Sequence, residues 1–161
     1  LPNVEGINWF VKDIWPKITG EFPDVKCSLA GREMPASLLS RSSGNLRIEG
    51  AVSSVSEFIS DKNVATIPLL SGSGLRVKIV EALSFGKVVL TTSLGATGIP
   101  FEDGRNLLIA NSPDEFVKQI RVLKENPELI TAIGNEARKL AETEFDLKNL
   151  SSKLTYFYAN L

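Results

Sequence analysis

Apolar residues along the chain fall into two rhythms that take turns. Ile7, Phe10, Val11 and Ile14 recur at helical spacing between Leu1 and Lys17, with Pro2 and Asn3 as start signals and Pro16 near the end, so a helix opens the chain. Asp24 to Ala30 alternates or runs apolar until Gly31, which reads as a strand closed by a turn. The same exchange continues with a short helix over Pro35 to Ser42, a strand over Asn45 to Gly50, a helix over Val55 to Ser60 and a strand over Val64 to Leu70. From Leu75 the residues Val77, Val80, Ala82 and Leu83 return to helical spacing, and Gly86 is expected to cap that helix. Val88 to Thr92 predicts a strand buried on both faces, and Asn106 to Ala110 another short one.

Three helices then follow with no strand between them. Asn111, Ser112 and Pro113 introduce the first, which turns Phe116, Ile120 and Leu123 inward and carries Asp114 and Glu115 where the helix dipole favours them. Asn126 and Pro127 start the second, with Leu129, Ile130, Ile133, Ala137 and Leu140, and Asp146 starts the last, with Leu150, Leu154, Phe157 and Tyr158. Alternating strands and helices predict a mostly parallel sheet wrapped on both faces, in which ligands gather beyond the carboxyl ends of the strands. A strand normally precedes the opening helix of such a domain, so the first strand is expected to be missing here.

Composition narrows the function classes. The chain has 161 residues, 43% hydrophobic and 23% charged, the balance of an ordinary globular domain with one substantial core. Its formal charge is -1 and its 18 basic residues are scattered, which sets nucleic acid aside as a partner. The single cysteine, Cys27, is read as a buried structural thiol, and a reducing compartment fits it. No apolar run approaches the roughly 18 residues of a membrane span, and no signal peptide pattern opens the chain. Histidine is absent, so any chemistry here uses carboxylates, hydroxyls, Arg, Lys or backbone groups.

The richest stretch runs from Ala65 to Thr92. A strand gives way to the turn Ser71 to Gly74, in which Gly72, Ser73 and Gly74 let the backbone pass close to a bound group, and the helix after it offers N–H groups to an anion. Arg76 and Lys78 fall in the first turns, where a cation works against the helix dipole, so either an anion or a solvated face accounts for them. Glu81 sits in the apolar run IVEAL, where an unpaired buried carboxylate is costly, so it contacts a ligand hydroxyl or pairs with a cation. A carboxylate there can accept from the two vicinal hydroxyls of a ribose. The loop SLGATGI after Thr92 lies near the Gly72 turn if the two strands are neighbours. Gly50, Ala51 and Val52 after one strand, and Gly31 after another, are small enough for a flat base to approach the backbone. Trp9 and Trp15 are read as packing residues.

Taken together, PLLSGSGLRVKIVEALSFGKVVLTTSLGATGI resembles the donor-binding signature of the group 1 family of retaining glycosyltransferases, and NVEGINWFVKDIWPKI, VKCSLAG, LRIEGAV and NLLIANSPDEFVKQI resemble the elements around it. The resemblance covers nearly the whole chain. It implies a Rossmann-like three-layer α/β domain over residues 1–161, the C-terminal half of a two-domain (GT-B) enzyme whose N-terminal acceptor-binding domain is absent from this chain. It also implies a nucleotide diphosphate sugar as substrate, with Glu81 holding the ribose hydroxyls and Gly72, Ser73, Gly74 and Leu75 facing the diphosphate and sugar. No metal or cofactor is expected, and no catalytic residue is assigned. Two departures matter: many members carry a second glutamate where this chain has Ser73, and the family's diphosphate-binding Arg and Lys lie in a loop after the first strand. The fragment is therefore expected to be inactive by itself, in a cytoplasmic enzyme of polysaccharide or glycoconjugate biosynthesis that reaches the inner face of the membrane only through the missing domain. A sugar epimerase or phosphorylase of the same build, and a non-catalytic α/β regulatory domain, are the competing readings.

Overall fold

The computed structural model describes residues 2–74 and 76–159, apart from the side chains at 148, 150, 152–154 and 159. Its first helical stretch contains α1 (Pro2–Trp9), a π-helical turn (Phe10–Ile14) and α2 (Trp15–Glu21). The sequence reading ended this helix near Pro16, whereas the chain stays helical to Glu21. The widened turn is the physical reason: the Trp15 N–H reaches back five residues to the Phe10 carbonyl, which makes room for a proline ring that a regular turn would exclude.

Two parallel sheets follow. β1 (Cys27–Ala30) pairs with β2 (Leu46–Gly50), while β3 (Val64–Ile67), β4 (Val88–Thr91) and β5 (Leu108–Ile109) form the second sheet in that order. Between them run α3 (Ala36–Leu39), α4 (Val55–Ser60) and α5 (Val77–Ser84). α6 (Pro113–Glu125), α7 (Glu128–Glu144) and α8 (Leu147–Ala159) complete the order. Alternating strands and helices thus build parallel sheets between helical layers, as expected, but the strands form two ladders rather than one.

The strand cores explain the layering. Along β4, Val88 and Leu90 point to one side, with Phe10, Ile14, Phe116 and Leu123 of the α1–α2 stretch and α6. Val89 points to the other, with Ile79 and Leu83 of α5 and Ala137 and Ala141 of α7. Trp9 meets the Phe116 ring edge-on at 5.6 Å and Trp15 is buried beside Phe10, so both tryptophans pack as expected. α5 ends as its sequence predicts. Gly86 has φ +66, its N–H reaches the Leu83 carbonyl and the Lys87 N–H reaches that of Ala82, the paired bonds of a glycine-terminated helix.

Two other expectations need correction. α5 buries Ile79, Ala82 and Leu83, while Val77 is 71% exposed, because at about 100° per residue it falls off the face that those three share. β5 is shorter than Asn106 to Ala110, since the preceding turn caps its edge and the Asp103 carboxylate accepts from the Ile109 N–H at 2.9 Å. In α8, Phe157 and Tyr158 are exposed, and Leu150 and Leu154 lie outside the described side chains.

Exposed ion pairs fasten α2 and the loop after it to α6. Glu21 accepts two bonds from Arg121, and Asp24 two from Lys124. The Arg121 bonds hold the Glu21 carboxyl below its ordinary value of 4.5, and the Lys124 bonds hold Asp24 below 3.8. A depressed folded-state pKa stabilises above the ordinary value and loses that stabilisation as pH falls through the folded one. Thermal stability should therefore drop between about pH 5 and about pH 2, with a smaller drop in Arg121→Gln. Parallel melting curves for the two proteins would reject this role for the pair.

Candidate functional site

The carboxyl end of β3 is held by hydroxyls. Pro68 has no N–H to continue the ladder, so the strand stops at Ile67 instead of Leu70. Beyond it the Thr91 Oγ1 donates to the Ile67 carbonyl at 2.5 Å and the Thr92 Oγ1 to the Leu69 carbonyl at 2.6 Å, both threonines being buried. The Gly95 N–H bonds to Thr92 Oγ1 at 3.0 Å, and a Cβ at Gly95 would lie 2.1 Å from Thr91 Oγ1. The loop after β4 is thereby folded against the strand end beside the Ser71–Gly74 turn, since β3 and β4 are neighbours. Asn111 holds the same loop from the other side, accepting from the Ser93 N–H and donating to its hydroxyl, each at 2.9 Å.

The turn itself depends on its glycines. Gly72 has φ +102 and Gly74 φ +84, in the left-handed region that side chains disfavour. Arg76 precedes α5 instead of lying within it, and its guanidinium folds back under the turn. Nη1 donates to the Ser73 carbonyl at 2.9 Å, and both terminal nitrogens lie within 3.4 Å of where a Gly72 Cβ would be. Its Nε is buried with no hydrogen-bond partner among the described residues. Ser73 and Lys78 are exposed, and Leu75 lies outside the described residues. Glu81 is half-buried, and its carboxylate makes no hydrogen bond or ion pair among the described residues, not even with Lys78 one turn earlier.

At the carboxyl ends of β1 and β2, Gly31 donates to the Gly50 carbonyl at 2.7 Å, which brings Gly31 together with Gly50, Ala51 and Val52. A slip in the register at Leu29/Ala30 sets Ala30 against Gly50, whose φ is +70. The predicted residues thus form two groups: one at the ends of β1 and β2, the other at the end of β3 and the start of α5.

Glu5 was not foreseen. It accepts from the Ser71 hydroxyl at 2.6 Å and ties α1 to the glycine turn, while Gly6 lets the helix pass so close that a Cβ there would lie 1.7 Å from the Pro68 carbonyl oxygen. Partners 66 residues apart leave no local signal. Cys27 is half-buried, and burial pushes its thiol up to about 12, which suits a packing residue and not a nucleophile. Among the described residues no helix is long and apolar enough to cross a membrane.

Parallel strands between helical layers, with glycine turns at their carboxyl ends, place this chain in the Rossmann-like class of α/β domains. Residues 1–126 match the family model for glycosyl transferases group 1, and the chain belongs to that family. It is similar to an uncharacterised 44.6 kDa protein in the cps region of Klebsiella pneumoniae, 27% identical over 161 positions covering 94% of this chain and 42% of that protein. The chain therefore spans less than half the length of that relative. Two of the solved structures that share the fold illustrate it. The C-terminal domain of the group 1 glycosyl transferase LpcC of Francisella tularensis superposes with a TM-score of 0.74 at 16% identity, over 91% of this chain and 83% of that one. Anabaena HepE, solved with UDP and glucose, gives 0.77 at 17% identity, over 96% of this chain and 46% of its own.

Proposed function

We propose that this chain is the donor-binding half of a retaining glycosyltransferase, holding a nucleotide diphosphate sugar at the carboxyl ends of β3 and β4. The reading is carried by two groups after one turn that find no partner among the described residues: the buried Arg76 Nε and the half-buried Glu81 carboxylate. A desolvated donor on a cation is costly alone and is satisfied by phosphate oxygens, which the Gly72–Gly74 backbone also leaves room to approach. Glu81 then accepts from the ribose hydroxyls, and the base lies toward Gly31 and Gly50–Val52.

In that arrangement the chain orients the donor and stabilises the departing diphosphate electrostatically, while an acceptor domain presents the nucleophile. Ser73 is short and exposed where a sugar-contacting glutamate is common in the family, so the transferred sugar is gripped less from this side. A role in polysaccharide assembly is supported by the cps-region relative.

Calorimetric titration with UDP, GDP and UMP tests the reading. One of the diphosphates should bind in the micromolar to millimolar range, and UMP more weakly than UDP. Absence of binding by any nucleotide diphosphate would overturn it. In the intact protein, the anomeric configuration of the product distinguishes retaining transfer from the other chemistries of this architecture.

A further inference from the structure

The groups around the glycine turn alternate in what they can offer a ligand. The N–H groups of Gly72, Ser73 and Gly74 donate to no acceptor among the described residues, and neither does the Arg76 Nε. These are donors, and they suit phosphate oxygens. After the turn stands the Glu81 carboxylate, an acceptor with no donor among the described residues. Before the turn stands α1, and it too offers acceptors. The Ser71 hydroxyl gives its one proton to Glu5 Oε2 at 2.6 Å, so its oxygen keeps acceptor capacity only. Glu5 is exposed, and its Oε1 has no partner among the described residues.

Backbone contacts fix this pair beside the turn. The Pro2 Cγ lies 3.3 Å from where a Gly72 Cβ would be, and a Cβ at Gly6 would lie 1.7 Å from the Pro68 carbonyl oxygen. α1 therefore rests directly on the segment that leads into the turn, and the buried Gly6 holds its neighbour Glu5 there independently of the hydrogen bond. Acceptors on two sides with donors between them call for a ligand of the reverse order: hydroxyls, then phosphates, then hydroxyls.

Given the donor reading of this turn, on which it rests, we propose that Glu5 and Ser71 form the subsite for hydroxyls of the transferred sugar. Glu5 Oε1 and the Ser71 oxygen accept from the sugar on the side of the diphosphate away from the ribose, which Glu81 holds. The sugar thus gains a carboxylate contact from α1 beside a turn whose own side chain, Ser73, carries none. The sugar class follows from the charge. A neutral hexose supplies the donors, whereas a uronate brings a second carboxylate against Glu5 and is disfavoured.

Calorimetric titration of the unmodified protein and of Glu5→Gln tests this. The amide keeps an oxygen for the Ser71 hydroxyl, so the turn stays tied, but it loses the charge and the second acceptor. The probes are UDP, UDP-glucose and UDP-glucuronate, or GDP, GDP-mannose and GDP-mannuronate where GDP is the diphosphate that binds. Glu5→Gln should leave affinity for the diphosphate within about twofold and lower affinity for the neutral sugar nucleotide about tenfold. The unmodified protein should bind the uronate about tenfold or more weakly than the neutral sugar nucleotide, and the substitution should narrow that gap. Equal loss for the diphosphate and its sugar nucleotide would overturn the subsite, because Glu5 would then act through the turn alone. So would unchanged affinity for all three probes. Failure of both diphosphates to bind the unmodified protein is a separate result, which removes the donor reading and the subsite with it.

Discussion

Phe116→Ala should cost about 3–5 kcal/mol of folding stability, the range for emptying a fully buried aromatic site. Phe116 is completely buried at the meeting point of α6, the opening helices and β4, and its ring takes the edge of Trp9. It shares one core cluster with the fully buried Ile14 and Val88, so the space should collapse little. At about 2–4 °C per kcal/mol for a chain of this size, the melting temperature should fall by roughly 6–20 °C. Phe157→Ala, at a position 58% exposed on α8, is the control and should stay within about 0.5 kcal/mol. Comparable melting of the two variants would mean that α6 does not hold the layers together as described.

Glu81→Ala should weaken nucleotide diphosphate binding about a hundredfold or more while leaving the fold intact. Hydrogen bonds to a charged acceptor contribute about 1.5–3 kcal/mol each, and a carboxylate meeting two vicinal hydroxyls loses them together. The side chain has no partner among the described residues, so its removal should shift stability by no more than about 0.5 kcal/mol. Glu81→Gln, which keeps one acceptor oxygen without the charge, should fall between. Titration with a 2′,3′-dideoxynucleotide separates a ribose contact from a general loss. The unmodified protein should bind that analogue about as weakly as Glu81→Ala binds the ribonucleotide, and the substitution should then cost little more. Equal affinity of Glu81→Ala and the unmodified protein for the ribonucleotide would remove Glu81 from the site.

Local chemistry made some features legible along the chain. Gly86 caps α5 because a left-handed residue is needed there, and Ser112 caps α6 by accepting from the Glu115 N–H. Both depend on residues within a few positions of one another. The π-helical turn was not legible, since a proline in a periodic apolar pattern reads as a stop until packing on both sides keeps the helix going. Spacing groups Val77 with the inward residues, but the face that packs is the one through Ile79, Ala82 and Leu83, which only the contacts of α5 reveal.

By itself, then, the sequence determined the alternation of strand and helix, the glycine turn after β3 and the placing of a carboxylate in α5, because each is set by neighbours a turn or less away. Only the tertiary structure decided that Arg76 folds under Gly72 with its Nε unmatched, that Glu5 reaches Ser71, and that the strands part into two ladders. These depend on contacts between distant segments, and the hydrophobic pattern that drives burial carries no information about which distant edge or side chain will meet which.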